Sequence, residues 1–278
     1  MALWYGLLDL LPFEMFHWDF MKNALLAVLI LTPLFGLLST MVVTGKMSFF
    51  SDALGHSGFT GIAIGVLCGS AAPTGWAVGL AVFFALLFTY VRYRSTHASE
   101  TVISVFSSTA VALGILIATL DGSSFTKFNR YLIGDILSVS VHEIAVLALV
   151  LALVLILWLF ASNRLILTAV HPQLAGSRGV PVKGYDALFT VSIAVVVTLA
   201  MTWIGLMVIN SLLVLPAAAA RNISRNLRQY HLFSVLGALA AGLAGLITSY
   251  YLSSSTGAVI SLYLALFFIL TFCFHRKK

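Results

Sequence analysis

The sequence predicts an all-α, polytopic transmembrane bundle of about eight to nine helices, and three observations point to it. Hydrophobic residues make up 61% of the 278 and charged residues only 9%, whereas a soluble domain carries about 25% charged residues. The apolar residues come in runs, such as 20–43, 73–91, 143–161 and 258–274, long enough to cross a hydrocarbon core roughly 30 Å thick. Finally, the run 147–160, LALVLALVLILWLF, does not alternate, as the strands of a membrane barrel would over about ten residues. Lipid offers no partner to a free N–H or C=O, so such runs must be helices.

Windows of about 19 residues then place the elements in order. The spans are expected near 20–43, 48–70, 73–91, 101–120, 140–161, 186–204, 205–220, 231–251 and 256–274. The pair within 186–220 is short, and reads either as two spans or as one broken or re-entrant element. Residues 1–19 hold two Trp, Tyr5, Phe13 and Phe16 with acids interspersed, the pattern of an amphipathic segment in the membrane interface. They lack the basic start of a cleavable signal, so the first span is expected to act as its own insertion signal.

Charge decides orientation. The connections holding Lys46, Arg92, Arg94, Arg164, Arg178, Lys183, Arg221, Arg225, Arg228, Arg276, Lys277 and Lys278 carry 12 of the 15 basic residues. Those on the other side hold Lys22, Lys127 and Arg130, together with six of the nine acids: Asp9, Glu14, Asp19, Asp121, Asp135 and Glu143. By the positive-inside rule the basic side, and with it the C-terminus, is expected in the cytoplasm. Topology accounts for the net charge of +6, with no nucleic acid required. Cys68 and Cys273 sit in apolar runs without CxxC spacing and are expected as small core residues.

One ionisable pair falls inside a span. Asp52 and His56 are four residues apart in SFFSDALGHSGFTGIAIGVLCG, which also carries Gly55, Gly58, Gly61, Gly65 and Gly69. The i, i+4 spacing puts both on one helical face, and an intramembrane charge, costly in lipid, faces a cavity or partner. Carboxylate oxygen plus imidazole nitrogen suits zinc, manganese or ferrous iron. Equally, Asp52 could cap the helix start while His56 hydrogen-bonds across the bundle. Two ligands are too few for these metals, so others must come from another helix, water or a second copy.

Other chemistry fails on spacing. His142-Glu143 begins like HExxH, but position 146 is valine. Gly45-Lys46 lacks the upstream glycine and the Ser/Thr of a phosphate-binding loop, so the chain cannot bind ATP in that manner. No Ser/His/Asp set is spaced for catalysis.

The run Met47–Ser57, MSFFSDALGHS, resembles the "MS-x-x-(G/S)-DA-x-(S/G)-H-(A/S)" signature of the permease subunits of zinc/manganese/iron ABC importers, the ABC-3 family. Tyr131–Leu137 (YLIGDIL), Gly205–Arg221 (GLMVINSLLVLPAAAAR) and Ser249–Ile260 (SYYLSSSTGAVI) are similar to three further family segments, and together they span about 20–274. The resemblance implies a permease domain over 20–278, in the bacterial cytoplasmic membrane. It would work with a second permease copy as homodimer or heterodimer, two separate ABC ATPase subunits and an extracytoplasmic metal-binding receptor. It implies no enzyme and no permanently bound cofactor, the metal being cargo: zinc first, otherwise manganese or iron.

It also aligns Asp52 and His56 with the family's intramembrane metal-coordinating pair. Ser51 stands where the family usually has Gly, and Asn210 where it tends to have Thr or Ala; both are candidate pathway-lining residues, Asn210 alternatively a polar contact between helices. Within the cytoplasmic stretch 163–185, His171, Ala175, Gly179 and Pro181 fit the family's ATPase-docking segment. The rival class is a stand-alone secondary transporter using Asp52 and His56 as a proton or cation relay.

Overall fold

The computed structural model describes residues 4–6, 14–70, 73–120, 134 and 136–273. Among them are nine helices of 18 residues or more and one short one. They are α1 (Asp19–Thr44), α2 (Phe50–Leu67), α3 (Pro73–Arg94), α4 (Ser99–Leu120), α5 (Val141–Val170), the short α6 (Pro172–Ser177), α7 (Val182–Ile204), α8 (Leu206–Ile223), α9 (Leu227–Leu252) and α10 (Thr256–Cys273). Eight are long and apolar enough to cross a membrane. The ninth, α2, is as long as α8 or α10 but is diluted by Asp52, His56 and four glycines. Part of the 1–19 segment, most of YLIGDIL and several of the charges that set orientation (Asp9, Asp121, Lys127, Arg130, Asp135, Arg276, Lys277, Lys278) lie outside the described residues.

The helices form two packed groups. In one, α2 lies against α3 and α4, and α3 against α7; in the other, α1 lies against α9 and α8, and α8 against α10 and α9. Glycine sets the closest approaches, as small residues do in lipid, where helices gain little from hydrophobicity. A Cβ on Gly61 would sit 2.6 Å from Ala77 Cα, and one on Gly36 2.9 Å from Val235 Cα. Hydroxyl pairs add interhelical bonds: Thr89 with Thr190 at 2.9 Å, and Ser39 with Ser234 at 2.9 Å.

Helix ends follow local chemistry. α5 starts on a capping box, in which Ser140 Oγ accepts from the Glu143 N–H and the Glu143 carboxylate accepts from the Ser140 N–H. That gives the His142-Glu143 fragment a structural role. The same helix runs to Val170, nine residues beyond the expected 161, because nothing breaks it before Pro172. The stretch 163–185 therefore comprises the end of α5, the short α6 with its flanks, and the first residues of α7. The 186–220 pair is two helices, divided by Gly205 at φ 79°, a backbone conformation that glycine adopts without steric cost. Both cysteines are exposed instead of buried, because the outside of a membrane bundle is itself apolar: Leu159 and Phe160 are 78% and 86% exposed.

Candidate metal site

The seam between the two groups is where the polar side chains meet. Asp52 is in the first turn of α2, whose start at Phe49 has no side-chain cap, so the carboxylate is free to face its neighbours. Its Oδ1 accepts from Asn210 Nδ2 of α8 at 3.0 Å, and its Oδ2 from Ser107 Oγ of α4 at 3.3 Å. Nε2 of His56, one turn on, is 3.5 Å from Oδ2. The Asp52 and His56 side chains are 39% and 24% exposed, so they are neither packed away nor fully open.

That separation is long for a hydrogen bond to an imidazole. It is close to the spacing of two ligands on one small cation, about 3.4 Å for bonds of about 2.1 Å at a tetrahedral angle. Among the described residues no three His, Cys, Asp or Glu side chains cluster, so any further donors from these residues are amides or hydroxyls. Asn210 Oδ1 is buried without a partner.

The structure therefore brings Asp52, His56 and Asn210 together. Ser51, next in sequence, is 1% exposed with its Oγ unpartnered, in the bundle interior. Ser107 is the residue that sequence reasoning missed, since one serine in a Ser-Ser-Thr run carries no signal by itself. His171, Ala175, Gly179 and Pro181 fall on α6 and its flanks. Ala175 is fully buried and its carbonyl accepts from the Arg178 and Val180 N–H groups; Gly179 takes φ 73°, and Pro181 precedes α7. Close to that segment, Arg92 at the end of α3 pairs with Asp186 in the first turns of α7, Nη1 to Oδ2 at 3.1 Å. Arg92 Nε donates to Ser99 Oγ at 3.0 Å.

At the opposite end, Gly134 at φ 65° lies against the Ile204–Gly205 peptide so closely that a Cβ there would overlap that backbone. The glycine of YLIGDIL thus packs on the break between α7 and α8, five residues before Asn210.

Among the described residues, nine long helices packed around a polar seam make the architecture of a multi-pass membrane protein. The chain belongs to the ABC 3 transport family, which it matches over residues 17–275. It is 32% identical over 266 residues to the manganese import system permease protein ScaB of Streptococcus parasanguinis, covering 95% of this chain and 93% of that one. It is 25% identical over 255 residues to the high-affinity zinc uptake system membrane protein ZnuB of Haemophilus influenzae, covering 92% and 97%. Among solved structures, PsaBC from Streptococcus pneumoniae in complex with Fab superposes with TM-score 0.79 at 27% identity, covering 98% of this chain and 95% of that chain. The protein is thus a multi-pass bacterial inner-membrane permease subunit of that transport family.

Proposed function

We propose that the chain is the membrane half of an ATP-driven divalent metal importer, and that Asp52 and His56 hold the ion in transit. The observation that carries this is the convergence of Asp52, His56 and Asn210 from α2 and α8 on one partly open intramembrane position. An ionisable pair held there is costly unless it serves a pathway. Zinc is the first metal to test, because carboxylate plus imidazole is a zinc-type donor pair; manganese or iron would take more oxygen donors at the same place.

In this mechanism an extracytoplasmic receptor releases the ion at the end of the bundle near Gly205. Asp52 and neutral His56 replace part of its hydration shell, and Asn210 and Ser107 hold the carboxylate in place. Phe49 and Met207, three residues before Asp52 and Asn210, are 65% and 75% exposed, and a second permease copy covers the exposed edge of the pair, so that lipid does not reach the ion. Two ATPase subunits dock on His171–Pro181 at the basic, cytoplasmic end. Their closure moves α6 and the start of α7, opening the site inward. Ser51 contributes through packing behind Asp52.

The test is bound-metal analysis of the purified permease–ATPase complex, wild type beside Asp52→Ala and His56→Ala. One transition metal retained by the wild type and lost from both variants is the expected result, and names the metal. Retention by both variants would reduce the pair to helix packing. Uptake into vesicles lacking the ATPase would point to a secondary transporter.

A further inference from the structure

The basic end of the bundle carries a polar concavity whose lining includes neither Asp52 nor His56. A cavity of about 540 Å³ opens between the ends of α1, α5 and α8 and the start of α9, and Lys46, Arg221 and Arg225 line it. No acid lines it, and among the described residues none of these three side chains has an ion-pair or hydrogen-bond partner. Of the described acids on this side of the chain, Asp186 is taken by Arg92, Asp52 accepts from Asn210 and Ser107, and Glu100 in the first turn of α4 does not line the cavity. Three uncompensated cations around one hollow make a site for an anion.

The remaining lining says what kind of anion. Val170 and Leu227 are 42% and 50% exposed at the rim, and Tyr230 lines the interior with Asn226, which caps α9 by accepting from the Gln229 N–H. Deeper in the span, the outward faces of α5 and α9 continue as exposed Leu159 and Leu232. A small soluble anion would leave this apolar rim wet, whereas a lipid covers it with glycerol and acyl chain. The hollow also lies where helices end, at the depth of headgroups, where tyrosine and basic residues are favoured. Of the stretch 163–185 only Ala169 and Val170, at the end of α5, line it, and none of His171, Ala175, Gly179 or Pro181 does.

We infer that this cavity binds the phosphate of an anionic phospholipid in the leaflet at the basic end, held by Lys46, Arg221 and Arg225. The inference is independent of the identity of the transported metal and of the Asp52–His56 reading.

The experiment reconstitutes the full chain in phosphatidylcholine vesicles containing spin-labelled phosphatidylglycerol, and compares the immobilised lipid fraction with that for spin-labelled phosphatidylcholine. Phosphatidylglycerol should be immobilised preferentially. That preference should fall roughly 5-fold for each arginine removed in Arg221→Gln/Arg225→Gln, and stay near wild type in Arg94→Gln/Arg164→Gln, which removes the same charge outside the cavity. Lys46→Gln provides a milder variant if the double substitution does not fold. The inference is overturned if wild type shows no preference, or if the control pair loses as much. It is also overturned if inorganic phosphate abolishes the preference, which would mark a free-anion site, or if adding the ATPase subunit does, which would assign the cavity to a protein interface.

Discussion

Asn210 Nδ2 donates to Asp52 Oδ1 at 3.0 Å across 158 residues of sequence, tying the first turn of α2 to the helix that follows the Gly205 break. The bond makes the orientation of the carboxylate depend on where α8 sits. A movement of α8 about Gly205 is therefore felt directly at Asp52.

Removing that donor should loosen the site without emptying it. Groups that orient a metal ligand typically account for 10–100-fold in affinity, so Asn210→Ala should weaken metal retention by about that factor. Asp52→Ala should abolish it. Metal titration of the two purified variants checks this, and equal retention by wild type and Asn210→Ala would dismiss the hydrogen bond as packing.

On the proposed reading, protons and metal compete for His56, because a ligating imidazole must be neutral. On that reading, acidifying the solution that bathes the site lowers metal occupancy and raising the pH restores it. Metal retention measured against pH should decline on the acid side in the wild type. A profile that stays flat would remove His56 from the ligand set.

The Arg92–Asp186 pair joins the end of α3 to the start of α7, with side chains 24% and 17% exposed. Breaking a well-buried pair costs about 3–5 kcal/mol because one charge is left uncompensated. Partial exposure here reduces that to about 2 kcal/mol. Asp186→Asn should lower the thermal unfolding midpoint in detergent. The reversed pair, Arg92→Asp with Asp186→Arg, should recover part of the loss.

Backbone contacts at glycine should be less forgiving. Gly205→Ala would hold φ 79° and ψ 154°, a region that essentially only glycine occupies, at a cost of about 1–3 kcal/mol. Gly134→Ala should cost more, because its Cβ would also meet the Ile204–Gly205 backbone. Gly61→Ala would force α2 from α3 at Ala77 and cost about 1–3 kcal/mol by overpacking. Thermal unfolding should rank these below Gly176→Ala, whose Cβ meets nothing within 4 Å.

Much of the architecture was legible in the residues because lipid leaves few options. The expected spans and the observed long helices agree one for one, with ends moving by up to nine residues where, as after Ala161, no breaker stands. The i, i+4 spacing of Asp52 and His56 is a local property of one helix, so it too could be read directly. Long-range partners could not: Ser107, Arg92 with Asp186, and the seat of Gly134 on Gly205 join residues 55 to 94 positions apart, and no periodicity encodes which helix a face will meet.

By itself, then, the sequence determined that the chain crosses the membrane, roughly where it does so, and that one helix carries an Asp–His pair. Apolar run length and backbone hydrogen bonding dictate these locally. Only the tertiary structure decided that Asn210 and Ser107 complete the surroundings of Asp52 while Ser51 is buried, and that Lys46, Arg221 and Arg225 ring one cavity. Those outcomes depend on how close two helices can approach, which small residues such as Gly36 and Gly61 permit and only packing selects.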